Sequence, residues 1–85
     1  DSNVASMRLR INAMAQKIDS RISIHDLRCV PGPTHTNVIF DCVKPADFDM
    51  DDEDLRARIA TLVAVDHPQA ICKITIDQSY VSSEQ

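Results

Sequence analysis

The chain has 85 residues, a formal net charge of −4 and a pI near 5.1, with one glycine and no tryptophan. That length allows one domain, which buries only about 60–65% of its unfolded surface, so its core is thin and gains from oligomerisation. The acidic balance excludes nucleic acid, which asks for clustered Lys and Arg, and no apolar run approaches the ~20 residues of a membrane span.

Residues 4–18 carry a helical stripe, Val4, Met7, Ile11, Met14 and Ile18, at spacings of three and four, so these side chains share one core face. Ser2 or Asn3 can cap its start. Asp1 in place of Met reads as a processing boundary, and nothing after it resembles a signal peptide. Ile22 and Ile24 then alternate with polar residues as a strand does. Further on, Leu27 and Cys29 are the apolar positions, so the parity switches between residues 24 and 27. An unbroken strand has period two and does not do this. Either the strand proper begins near His25-Asp26, or a bulge sits there, and bulges re-aim side chains beside functional sites.

Pro31-Gly32-Pro33-Thr34 makes a turn in which Gly32 is free to take a positive φ. Thr36–Val43 read as the second strand, with Val38, Phe40 and Cys42 facing the core and Asn37, Ile39 and Asp41 facing away. Residues 47–54 are the most acidic stretch. Asp47, Asp49 and Asp51 match the opening of a calcium-binding EF-hand loop, but Asp52 stands where that loop needs glycine and Arg58 where it needs its bidentate glutamate. Asp51 reads instead as a helix N-cap with Asp54 as its partner, and acidic residues in a first turn suit the helix dipole. The helix continues through Leu55, Ile59, Leu62 and Val63, and His67-Pro68 ends it. Ile71–Ile76 form the third strand, with Thr75 and Asp77 on the face opposite Ile74 and Ile76, and Ser79–Gln85 are a polar, frayed tail.

The order helix, strand, strand, helix, strand gives an α+β fold. A hairpin joins strands one and two, a parallel crossover links strands two and three, and both helices lie on one face of a three-stranded mixed sheet. This is a ferredoxin-like αββαβ arrangement lacking its first strand. Ile39 and Val43 on the uncovered face suggest a dimer. Cys29, Cys42 and Cys72 are odd in number and widely spaced, which fits reduced core thiols rather than disulfides or a zinc ribbon.

The stretch from Ser23 to Asp41 carries an Ile24-His25-Asp26-Leu27-Arg28 strand, a Gly32-Pro33 turn and a Val38-Ile39-Phe40 strand. It resembles the cytoplasmic C-terminal domain of cation diffusion facilitator transporters, which export divalent metals. The resemblance covers roughly residues 20–80 and is specific in its first half. It implies that residues 1–85 are a single soluble dimerisation and metal-sensing domain, a homodimer at the cytoplasmic face of a membrane. The transmembrane part of the same protein is then its partner and carries the transport.

The resemblance also implies a metal site at His25, Asp41 and Asp77. Many relatives have histidine at the second and third of these positions, so the set here is one imidazole and two carboxylates. Such donors hold zinc and also suit manganese, iron or cobalt, with zinc or manganese foremost. Ser79 stands where the family often has a further aspartate, leaving a fourth position to water or unfilled. His35 in the turn and His67 before Pro68 are alternative ligands. The residues by themselves also fit a plainer reading, with Asp41 and Asp77 as solvated strand-face carboxylates and His25 as an ordinary strand-end histidine. The chain is then a structural dimerisation module without metal, or a free-standing ferredoxin-like ligand-binding domain. For an enzyme nothing assembles: there is no phosphate-binding glycine loop and no cysteine with a base in a cleft.

Overall fold

In a computed structural model describing residues 2–79, the elements run α1 (Ser2–Ile18), β1 (Ser23–Pro31), β2 (Thr36–Pro45), α2 (Asp52–Asp66) and β3 (Ala70–Ser79). The sheet order is β1-β2-β3, with β1 antiparallel and β3 parallel to the central β2. This is the ferredoxin-like αββαβ arrangement expected from the pattern. With the first strand of that fold missing, β3 pairs directly with β2. Helix α1 begins at Ser2, so Ser2 and Asn3 lie within it rather than ahead of it as caps. Residues 80–85, read as a frayed tail, lie outside the described residues.

One buried cluster joins the helices to one sheet face: Ile11 and Ala15 from α1, Ile22 and Ile24, then Val38, Phe40 and Cys42 from β2, and Leu55, Ile59 and Val63 from α2. Burying each large aliphatic or aromatic side chain stabilises the fold by about 1.5–3 kcal/mol. Met7, Met14 and Ile18 complete the α1 stripe against this cluster. Cys29 donates a long 3.7 Å hydrogen bond to the sulfur of Met7. The three cysteines are free thiols, and burial pushes Cys42 up to about 11.

Side chains bond the backbone at a sheet edge, at a helix start and between helix and strand. Asn12 Oδ1 of α1 accepts the Ile24 amide at 3.1 Å, satisfying a donor on the outer edge of β1. Asp51 caps α2 by accepting the Asp54 amide at 2.9 Å, the pairing read from the sequence. Arg56 of α2 donates to the Ile74 carbonyl of β3 at 3.0 Å.

The hairpin turn differs from expectation in its physical cause. Gly32 does not use a positive φ. Its amide donates to the His35 carbonyl at 2.8 Å, and a Cβ at this position would sit 2.9 Å from that same oxygen. Glycine is needed here for close approach, not for a left-handed backbone.

Candidate metal site

The parity switch in β1 is a bulge. Register slips between His25 and Arg28, so that Asp26 and Leu27 together oppose Phe40, and Asp26 takes φ 57°. A left-handed residue at the first bulge position is ordinarily glycine, and aspartate is among the few other residues that tolerate that backbone. The insertion keeps Ile24 and Leu27 on the helix-covered face while His25 and Arg28 stay on the open one. His25 then lies directly opposite Asp41.

Asp77 reaches the same open face from β3. It is the register partner of Val43, whereas Asp41 is paired with Thr75. Asp41 and Asp77 are therefore diagonal neighbours, about 8 Å apart at Cα from the usual strand spacing and rise. All three side chains share one end of one sheet face, with His25 and Asp77 exposed and Asp41 half-buried. They do not converge: among the described residues no three His, Cys, Asp or Glu side chains gather closely enough to hold a metal ion. The His25 ring is engaged within its own strand, Nε2 lying 2.8 Å from Ser23 Oγ.

The other candidates are elsewhere. Ser79 pairs with Pro45 at the last rung of the ladder, where its carbonyl accepts the Ala46 amide at 3.1 Å. His35 is exposed in the turn with Nδ1 3.0 Å from Thr34 Oγ1. His67 forms the C-cap of α2, donating its amide to the Val63 carbonyl, while its ring Nε2 is buried without a partner among the described residues. Thr36 bonds the carbonyl of Gln69, which places both histidines at the turn end of the sheet. They cannot share an ion with His25, Asp41 and Asp77 at the opposite end.

The donor chemistry fits a borderline divalent ion, with a cross-strand imidazole–carboxylate pair and a second carboxylate one strand over. A bound ion would need the His25 ring turned from Ser23, with water or another chain completing the coordination.

What sequence reasoning missed lies on the covered face. Lys44 continues the inward series of Val38, Phe40 and Cys42 and is 4% exposed. Its ammonium donates to the Met50 carbonyl and lies within an ion-pair distance of Asp52, each at 2.8 Å. The period-two pattern, carried two residues further, would have pointed to it.

The fold defines the class: a ferredoxin-like αββαβ domain with an uncovered sheet face. Among solved structures, the chain is similar to CzrB, described as a candidate zinc transporter. One structure shares 22% identity and a TM-score of 0.68 over 84% of this chain and 90% of that one. A second, the zinc form, shares 20% identity and a TM-score of 0.69 over 92% of this chain and 91% of that one. At that identity the likeness establishes the fold. No protein-family model and no curated protein sequence matches the chain. Among the described residues, no helix is long and apolar enough to cross a membrane.

Proposed function

We propose that this chain is the regulatory and dimerisation domain of a divalent-metal efflux transporter of the cation diffusion facilitator kind, acting at the cytoplasmic face of a membrane. The observation that carries the reading is the match in fold to CzrB over nine-tenths of both chains, in a structure solved with zinc. The Ile-His-Asp-Leu-Arg strand and Gly-Pro turn support it independently, because they resemble that family's signature. Catalysis has no part in this reading.

His25, Asp41 and Asp77 are the proposed ligands, with zinc or manganese as the ion. Two carboxylates on adjacent strands repel one another until a cation arrives. Their incomplete convergence in one chain suits a site that closes only when two copies, or two strands, adopt a particular arrangement. Metal then favours that arrangement by its differential affinity for it and for the open one, and by no more than that difference. The homodimer would transmit the bias to the transmembrane part of the same protein, where transport itself takes place.

The test is calorimetric titration of the metal-stripped domain with Zn²⁺ and Mn²⁺, beside an H25A/D41A double variant, with dimer state followed by light scattering. Saturable binding that the variant loses supports the reading. A dimer indifferent to both ions, binding neither, reduces the chain to a structural coupling module.

A further inference from the structure

We propose that the free edge of β3 pairs antiparallel with the same edge of a second copy, about a two-fold axis through Thr75. The two three-stranded sheets then join into one, with the helices of both copies on the same face. The inference goes beyond the sheet-face site: it needs no metal and leaves the open face uncovered.

The two edges of the sheet are finished differently. A sheet edge offers unpaired amides and carbonyls to any strand that reaches it, and proteins blunt such edges with bulges, prolines or covering groups. On β1, Asn12 takes the Ile24 amide, a bulge breaks the register between His25 and Arg28, and Pro31 closes the strand. β3 has neither bulge nor proline: its ten residues follow β2 without a slip. Gln69, just before β3, and Ser79 at its end both turn their carbonyls toward β2, accepting the Thr36 and Ala46 amides. Alternation along the strand then points the backbone groups of Cys72, Ile74 and Ile76 away from the sheet. Among the described residues, the partner recorded for these outward groups is Arg56, whose Nε donates to the Ile74 carbonyl at 3.0 Å.

The side chains of this edge are self-complementary. With the axis at Thr75, Thr75 opposes Thr75 of the second copy, and Ile74 opposes its Ile76 in a pair that exchanges both backbone hydrogen bonds. Lys73 opposes Asp77 of the second copy, and symmetry makes that contact twice. Both residues are exposed, and neither has an ion-pair partner among the described residues. Opposite charges, threonine pairs and β-branched pairs each stabilise an antiparallel contact. Moving the axis to Lys73 or to Asp77 would set like charges against each other, so charge selects the register. On the helix-covered face, Ile76 of the second copy meets Ile74 where α2 leaves a groove lined by Arg56, Ala57, Ala60 and Cys72. The alanines leave it room, and Arg56 has to release the Ile74 carbonyl to the incoming amide.

The test uses the intact chain in chelator, with sedimentation equilibrium for the dimer and amide hydrogen exchange for its geometry. Dimer is expected to grow with concentration, and exchange at Cys72, Ile74 and Ile76 to slow in step. Lys73→Glu should raise the dissociation constant about tenfold, because it sets like charges together at both contacts. The K73E/D77K double variant should restore it. Both substitutions change exposed side chains, and an unchanged melting temperature of the dilute protein shows that the fold is kept. A chain that stays monomeric at millimolar concentration overturns the proposal, and so does a charge-swapped variant that pairs no better than K73E. A dimer whose Cys72, Ile74 and Ile76 amides exchange as in the monomer also overturns it, yet leaves packing through the open face standing, so the two readings fail separately.

Discussion

Deleting Asp26 is expected to leave the fold intact, an unusual outcome for the loss of a residue inside a strand. On the helix side of the bulge, His25 opposes Asp41. On the turn side, Arg28 opposes Ile39, and only Phe40 lies between the two partners on β2. Removing Asp26 leaves Leu27 opposite Phe40 and restores one-to-one pairing along the whole hairpin. Ile24, Leu27 and Cys29 then alternate with His25 and Arg28, and every side chain keeps the face it has now. The left-handed backbone at Asp26, with φ 57°, costs roughly 1–2 kcal/mol for an L-residue, and the deletion relieves it. What is lost is the local bend, so the net change is expected within about 1 kcal/mol of zero. Asp26→Gly isolates the backbone term: the same relief is offset by about 0.5–1 kcal/mol of extra unfolded-chain entropy. Deleting Ile39 from the central strand is the control. It would turn Phe40 and Cys42, both now buried, onto the open face, a loss comparable with the whole stability of a small domain. Urea denaturation of the three variants, with m-values to confirm unchanged compactness, measures this. A loss above about 2 kcal/mol on deleting Asp26 would refute the bulge as a bare insertion and give it a packing role.

Asn12→Ala is expected to cost about 1–3 kcal/mol, since it leaves the part-buried Ile24 amide without its acceptor; native-state hydrogen exchange at that amide should quicken in step. Gly32→Ala forces a Cβ to 2.9 Å from the His35 carbonyl and should cost about 1–3 kcal/mol in a thermal or urea melt, although the φ there is ordinary. Burial raises the Cys42 thiol from 9.0 to about 11, with the Asp52 charge adding to the shift. A group whose folded pKa is raised stabilises fully below the unfolded value and loses that contribution above it. Stability should therefore fall from pH 9 towards 11, and Cys42 should resist alkylation at pH 8 until the domain unfolds.

The elements were legible where hydrophobic periodicity is strong. The stripe of α1, the inward series of β2 and the Asp51 cap are local signals that tertiary structure did not override. The parity break between Ile24 and Leu27 announced either a late strand start or a bulge, and the strand running from Ser23 through the register slip leaves the bulge. Other features needed coordinates. Gly32 looks like a turn glycine of positive φ, yet only the approach of the His35 oxygen reveals what excludes a side chain. β3 extends to Ser79, three residues past the last apolar position, because Asp77, Gln78 and Ser79 pair through the backbone with Val43, Lys44 and Pro45. Backbone pairing leaves no trace in hydropathy. The same blindness hid Lys44, whose partners are a main-chain carbonyl and a carboxylate beyond a loop.

The candidate site was legible as a set of faces but not as a set of contacts, and the difference bears on how such a site would work. Sheet register is rigid: it sets His25 against Asp41 and places Asp77 one strand over, whatever the solvent contains. Side-chain convergence is soft, and like-charged carboxylates have no reason to converge without a cation. The open face around them mixes Ile39, Val43, Val30 and Ile71 with Arg28, Lys73, Asp41 and Asp77. A second copy covering that face would gain apolar burial from the first four and would have to desolvate charge from the others. Burying a carboxylate without a partner costs several kcal/mol, and a bound divalent ion removes that penalty at Asp41 and Asp77 together. On this argument a bound metal would act less as a glue between copies than as a neutraliser that makes one packing of the face tolerable. Asp41→Asn with Asp77→Asn should then promote the closed dimer without metal, while abolishing the dimer's response to it. Sedimentation velocity with and without Zn²⁺ distinguishes this from a bridging ion, for which the same double variant would lose the closed form altogether.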